Sequence, residues 1–130
     1  MASLQDAAKR KLLKSESFAP PQGVRDTASR ALEMRRKYKR GGLTAEEASK
    51  QGIGSGVVRA TNLASGDKVT YETIKRMVAY FARHASDKKA EGFNQGEKGW
   101  PSAGRIAWDL WGGDDGKRWA ESIVKRVEKK

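Results

Sequence analysis

The stretch Arg35-Arg36-Lys37-Tyr38-Lys39-Arg40 sets five cations around one tyrosine, with no acid among them. A one-signed run of that density can neutralise several phosphates of a polyanion, whereas an ordinary solvated helix face mixes both signs. A second group sits where a helix should begin. Thr70, Tyr71, Glu72, Lys75 and Arg76 fall in its first turns, with Arg83 about two turns beyond. If that helix entered a groove, these side chains would face bases and phosphates. Residues suited to acid–base or metal chemistry are few. His84, the only histidine, stands three residues before Asp87 at a helix end. An imidazole held by a carboxylate is half of a catalytic triad, but the chain has no Gly-x-Ser-x-Gly nucleophile turn. His84 therefore reads as structural. Asp109, Asp114 and Asp115 offer oxygens to a divalent cation, yet their spacing alone does not support a metal site, since Asp is also a common helix cap and Asp114 or Asp115 can cap the last helix. No catalytic residue, metal or cofactor is expected, and the chain does not read as an enzyme.

Helices must position these groups, and apolar periodicity supplies them. A helix over residues 25–40 is marked by Val24, just before it, and Ala28, Ala31 or Leu32, Arg35 and Tyr38 at helical spacing, and Gly41-Gly42 stops it. Lys37, Lys39 and Arg40 then lie in a last turn, where cations complement the helix dipole. Thr44 with Glu47 has capping-box spacing, so a short helix should reach about residue 50. Gly52, Gly54 and Gly56 form a loop that lacks the Gly-Lys-Ser/Thr ending of a phosphate cradle. Residues 57–64 give another short helix, with Ala60 and Leu63 inward, and Ser65-Gly66-Asp67 a turn.

Thr70 then caps the strongest helix. Tyr71, Ile74, Met77, Val78 and Phe81 recur at three- and four-residue steps and form its buried face; Lys75, Arg76, Tyr80 and Arg83 fall largely off it. The pair reads as helix-turn-helix-like. Val69-Thr70-Tyr71-Glu72-Thr73-Ile74-Lys75-Arg76 resembles the start of a recognition helix, but about four extra residues, within 65–68, lengthen the turn relative to the compact motif.

A glycine-punctuated loop over residues 87–100 leads to a helix capped by Ser102, with Ile106, Ala107, Leu110 and Trp111 inward. Gly112-Gly113 ends it, and a last helix near residues 117–128 carries Trp119, Ala120, Ile123, Val124 and Val127. All four tryptophans fall in residues 100–119. Trp108, Trp111 and Trp119 read as core, and Trp100 as the best candidate for an exposed stacking platform.

The chain has 130 residues, the size of one domain. The absence of cysteine removes disulfide scaffolds, thiolate zinc sites and a cysteine nucleophile. No apolar run approaches the roughly 20 residues of a membrane span, and the N-terminus lacks a signal-peptide block. Charge is the strongest feature: 27 basic against 16 acidic residues give a net +11. Residues 1–40 alone hold 11 basic and 4 acidic residues, so the excess is concentrated early.

Two further blocks carry a resemblance. Met77-Val78-Ala79-Tyr80-Phe81-Ala82-Arg83-His84 with Asp87, and Gly99-Trp100-Pro101-Ser102-Ala103-Gly104-Arg105-Ile106-Ala107-Trp108-Asp109-Leu110-Trp111-Gly112-Gly113-Asp114, resemble a small domain encoded by tailed phages and prophages. Its members also tend to carry an Arg-Gly-Gly stretch upstream, matched by Arg40-Gly41-Gly42. The similarity covers about residues 28–125. It implies a phage setting and brings no catalytic residues.

The expected fold is all-α: a compact bundle of about five short helices containing the helix-turn-helix-like hairpin. Residues 1–22 should be a flexible basic arm bearing Lys9-Arg10-Lys11, and residues 23–130 a single helical domain with Ile74, Val78, Phe81, Ile106, Trp108, Leu110, Trp111, Trp119 and Ile123 in its core. The expected function is nucleic-acid binding by a phage-encoded protein, double-stranded DNA ahead of RNA. Contacts would come from the arm, from Arg35, Arg36, Lys37, Lys39 and Arg40, and from Thr70, Tyr71, Lys75, Arg76 and Arg83. The rival is an adaptor that presents the same basic face to an acidic surface on a host enzyme or a virion component. Neither reading involves a membrane, and both place the chain in the host cytoplasm, on the nucleoid, or in a virion rather than outside the cell.

Overall fold

Pro20 and Pro21 hold the chain extended, and the first helix starts directly behind them. Pro21 occupies the N-cap at φ −64° and ψ 162°, and α1 runs over Gln22–Tyr38. The computed structural model describes residues 16–42, 46, 47, 50 and 55–128. Val24, Ala28 and Ala31, at steps of four and three, are the buried face of α1. Two of the three are alanines, which lets neighbouring helices come close. α1 is accordingly the hub of the molecule: α2 (Gly56–Ala64), α4 (Ala103–Leu110) and α5 (Gly113–Glu128) all pack on it. α3 (Tyr71–Arg83) packs mainly on α5, and a 3-10 helix, Ala85–Lys89, follows it. The fold is an all-α bundle, with five α-helices among the described residues. Glu46, Glu47 and Lys50 are helical as well. Thr44, Gly52, Gly54 and the Lys9-Arg10-Lys11 run lie outside the described residues.

Side-chain caps set the helix starts, at Thr70 and Ser102 where the sequence places them and at Ser55, where Gly56 opens α2 instead of belonging to the loop. Ser55, Thr70 and Ser102 accept hydrogen bonds from the backbone N–H of Val58, Thr73 and Arg105. Each is worth about 1 kcal/mol. No helix among the described residues is long and apolar enough to cross a membrane.

The aromatic core forms where α3, α4 and the loop before α4 meet. Trp108 takes Phe81 edge-on at 4.7 Å and Phe93 at 5.9 Å, while its Nε1 donates to Asp114 Oδ1 at 3.0 Å. Ile74, Phe81, Ile106, Trp108, Leu110, Trp111 and Ile123 are buried as expected; Val78 and Trp119 are half-buried and pack against this core. Trp100 is half-buried.

Three expectations change. Residues 16–22 do not belong to a free arm: β1 (Ser17–Phe18) pairs antiparallel with β2 (Val69–Thr70), Ser17 opposite Thr70 and Phe18 opposite Val69. Phe18 is 7% exposed and lies 6.5 Å from the Tyr71 ring, so its burial fastens the segment. Tyr80, placed off the buried face of α3, is 6% exposed. It lies three residues after Met77, at the edge of the apolar stripe, and stacks on Trp111. Finally, α2 and α3 do not form a compact pair, since α2 packs on α1 and α3 on α5. The longer turn over residues 65–68 lets each helix find its own partner.

Candidate nucleic-acid interface

The basic run ends α1 in a defined shape. Lys39 is the C-cap at φ 54°, a left-handed conformation, and its N–H donates to Arg35 O at 2.7 Å. Gly41 and Gly42 follow at φ 89° and 71°, pressed against α4. A Cβ at Gly41 would lie 2.7 Å from that of Ile106, and one at Gly42 would strike the Leu110 side chain. Only glycine fits both the backbone angles and the space. Arg35 is half-buried, and its Nε donates to Gly41 O at 2.9 Å. Arg36, Lys37, Lys39 and Arg40 are exposed. Arg35, Arg36, Lys39 and Arg40 line a depression of about 460 Å³ together with Gly41, Gly42 and the acid Glu47. Lys37 Nζ and Arg40 Cζ sit 5.3 and 6.0 Å from the Tyr38 ring, which gathers the cations around it. Ion pairs among the described residues engage Lys50, Arg76, Lys88, Arg105, Lys117 and Arg118, and none of these six belongs to the run.

The α3 group is less uniform. Lys75, Arg76 and Arg83 are exposed. Arg76 donates to Glu72 Oε1 at 2.7 Å, one turn back on the same helix. Thr70 is exposed, but its oxygen caps α3 by accepting from Thr73 N–H at 3.2 Å. Tyr71 is not a surface contact: it is 5% exposed, and its hydroxyl donates to Glu128 Oε1 at 2.7 Å. Burial, with the Glu128 hydrogen bond second, pushes its pKa up to about 12. Position 71 opens the apolar stripe, so its ring is drawn inward, with Lys75 Nζ 5.9 Å from the ring.

Arg59 is the cation that sequence reasoning missed. It lies among the small and apolar residues of α2, between Val58 and Ala60, and no charge run advertises it. Its guanidinium stands 5.9 Å over the ring of Trp111. Trp111 lies parallel to Tyr80 at 4.6 Å, and Tyr80 stacks on His84 at 4.5 Å. Burial lowers the pKa of Arg59, and the positive charge of Arg76 lowers it further. Arg59 thus stands near α3. Its own helix begins beside the end of the basic run: a Cβ on Gly56 would lie 3.7 Å from Gly42 Cα and 3.3 Å from Trp111 Nε1. The contact between Gly42 and Gly56 therefore joins the end of α1 to the start of α2.

His84 and the carboxylates near it in the C-terminal half bond to neighbours within the chain. His84 Nδ1 and Asp87 Oδ2 are 3.1 Å apart, as their spacing suggested. Asp109 accepts from Arg105 Nε at 3.0 Å, and Arg105 also donates to Phe93 O at 3.3 Å. Burial raises the Asp109 pKa against the opposing pull of Arg105. Asp114 is held below its ordinary value, because the bonds from Lys88 and Trp108 outweigh its partial burial. Asp115 pairs with Arg118. These carboxylates border a cleft of about 250 Å³ between α1, α4 and α5. Comparison with protein-family models, curated proteins and solved structures finds no match to this chain.

Proposed function

We propose that the chain binds nucleic acid, double-stranded DNA ahead of RNA, through its phosphate backbone. The observation that carries this reading is the set of cations at the end of α1, fixed by the Lys39 cap and the Arg35–Gly41 bond around one depression. Cations on a rigid element lose less conformational freedom on binding than cations on a loose tail. The net charge of +11 adds a long-range attraction to any polyanion.

Base reading is the less supported part of the helix-turn-helix expectation. Tyr71 faces inward, Thr70 is engaged in capping, and α2 does not brace α3. Lys75, Arg76 and Arg83 remain as phosphate contacts, which position a protein without reading sequence. Tyr71, Tyr80, Phe81, Phe93, Trp108 and Trp111 are buried, while Tyr38, Trp100 and Trp119 are half-buried, so the rings themselves do not separate a duplex from a single strand, which is held by stacking on exposed rings. A phage setting, with a place on the host nucleoid or in a virion, is what the resemblance of residues 77–87 and 99–114 implies.

Retention on duplex-DNA cellulose in a salt gradient tests the reading. The parent chain should be held at physiological salt. The variant R36Q/K37Q/K39Q/R40Q should elute much earlier, and K75E/R76E earlier than the parent. A parent chain that passes through unretained sinks the DNA reading and leaves the adaptor role, to be pursued with acidic protein partners.

A further inference from the structure

The last turn of α5 holds a cation that belongs neither to the charge run of α1 nor to an ion pair among the described residues. Arg126 is exposed, and its Cζ lies 6.0 Å from the centre of the Phe18 ring. The Phe18 ring is 6.5 Å from that of Tyr71, and Lys75 Nζ lies 5.9 Å from the Tyr71 ring. Two neighbouring buried rings thus carry one exposed cation each, brought in from two different helices. Three distant parts of the chain make this arrangement. β1 supplies Phe18, α3 supplies Tyr71 and Lys75, and α5 supplies Arg126.

The acids closest to these cations along α3 and α5 are committed elsewhere. Glu72, three residues before Lys75, accepts from Arg76. Glu128, two residues after Arg126, accepts from the Tyr71 hydroxyl. Glu121, the preceding acid of α5, accepts from Lys117. Neither Lys75 nor Arg126 takes part in an ion pair or a side-chain hydrogen bond among the described residues. Both therefore keep their full set of N–H donors for a ligand. A cation resting against a ring has already given up part of its side-chain freedom, so ordering it on an anion costs less.

We propose that Lys75 and Arg126 form a second phosphate-contact surface, where β1, α3 and α5 meet, for the backbone of a nucleic-acid duplex. It rests on the nucleic-acid reading and extends it by adding α5 to the elements that bind. Charge names the occupant: two cations without partners meet the oxygens of a regularly charged backbone. Burial of Phe18 then serves binding as well as folding, because its ring is the seat of Arg126.

Equilibrium binding of the full chain to a random duplex of about 20 base pairs, between about 50 and 200 mM salt, tests the surface. Both positions are exposed, so substitutions there leave the core intact. R126Q and K75Q should each reduce the slope of log affinity against log salt by about 0.9, the counterion release of one phosphate contact. R126K keeps the charge and should keep the parent slope. K98Q removes one unit of charge from the loop before α4 and should also leave the slope unchanged. A parent slope in R126Q overturns the surface, and so does a loss in K98Q equal to that in R126Q. A loss in R126K as large as in R126Q overturns it too, since packing on Phe18 rather than charge would then be responsible. In these three cases the nucleic-acid reading stands on the cations of α1. A parent chain that does not bind at the lower salt removes that reading, and this surface with it.

Discussion

At the scale of single residues, burial decides which polar groups serve the surface and which serve the fold. Tyr71 is the clearest case, since its ring closes the stripe of α3 while its hydroxyl reaches Glu128 near the end of α5. Y71F removes that bond and should cost about 1 kcal/mol at neutral pH, measured by urea unfolding. The folded pKa of Tyr71 lies near 12, above its ordinary value of 10.0. The protonated phenol therefore stabilises the fold fully below pH 10, and that stabilisation is lost as pH rises from about 10 through 12. Across that window the parent should lose roughly 2–3 kcal/mol more stability than Y71F. Equal pH slopes for the two chains would contradict the assignment. The charge run at Arg35 to Arg40 was legible in the sequence because like charges were adjacent. Arg59 was not, because a lone cation between Val58 and Ala60 becomes informative only when Trp111 arrives from elsewhere in the chain.

At the scale of elements, start and stop residues carried most of the readable information. Thr70 and Ser102 are caps in the structure as their positions suggested, and Gly41-Gly42 ends α1 against α4. T70A should lower stability by about 1 kcal/mol, and T70S should restore it, because either hydroxyl accepts from Thr73 N–H. Thermal unfolding of the two variants checks this; equal losses would mean that the methyl, not the cap, matters. G41A should cost more, on the order of 2 kcal/mol, since it combines φ 89° with a 2.7 Å approach to Ile106. It should also weaken duplex binding, because the Arg35–Gly41 bond that orders the run would shift. Helix pairing was harder to read than helix position. A short turn forces two helices together, whereas the stretch from Ser65 to Lys68 frees α2 for α1 and α3 for α5.

At the scale of the whole molecule, the long-range contacts were the least legible. The pairing of Phe18 with Val69 spans most of the first half of the chain and involves strands of two residues, too short for any alternation to show. Phe18 nevertheless packs near Tyr71, and Arg126 of α5 lies 6.0 Å over its ring. F18A should cost about 3 kcal/mol, read as a lower urea midpoint with an unchanged slope. The basic character of the molecule, in contrast, follows from composition alone, and the fold adds only where the cations stand. Fluorescence anisotropy of a labelled random duplex with the full chain, between about 50 and 200 mM salt, tests that combination most directly. Affinity should fall about a thousandfold over this range, and R36Q/K37Q/K39Q/R40Q should flatten the log–log slope by roughly three. Absence of binding at the lower salt, or a slope that the four substitutions leave unchanged, would contradict phosphate contact by the end of α1.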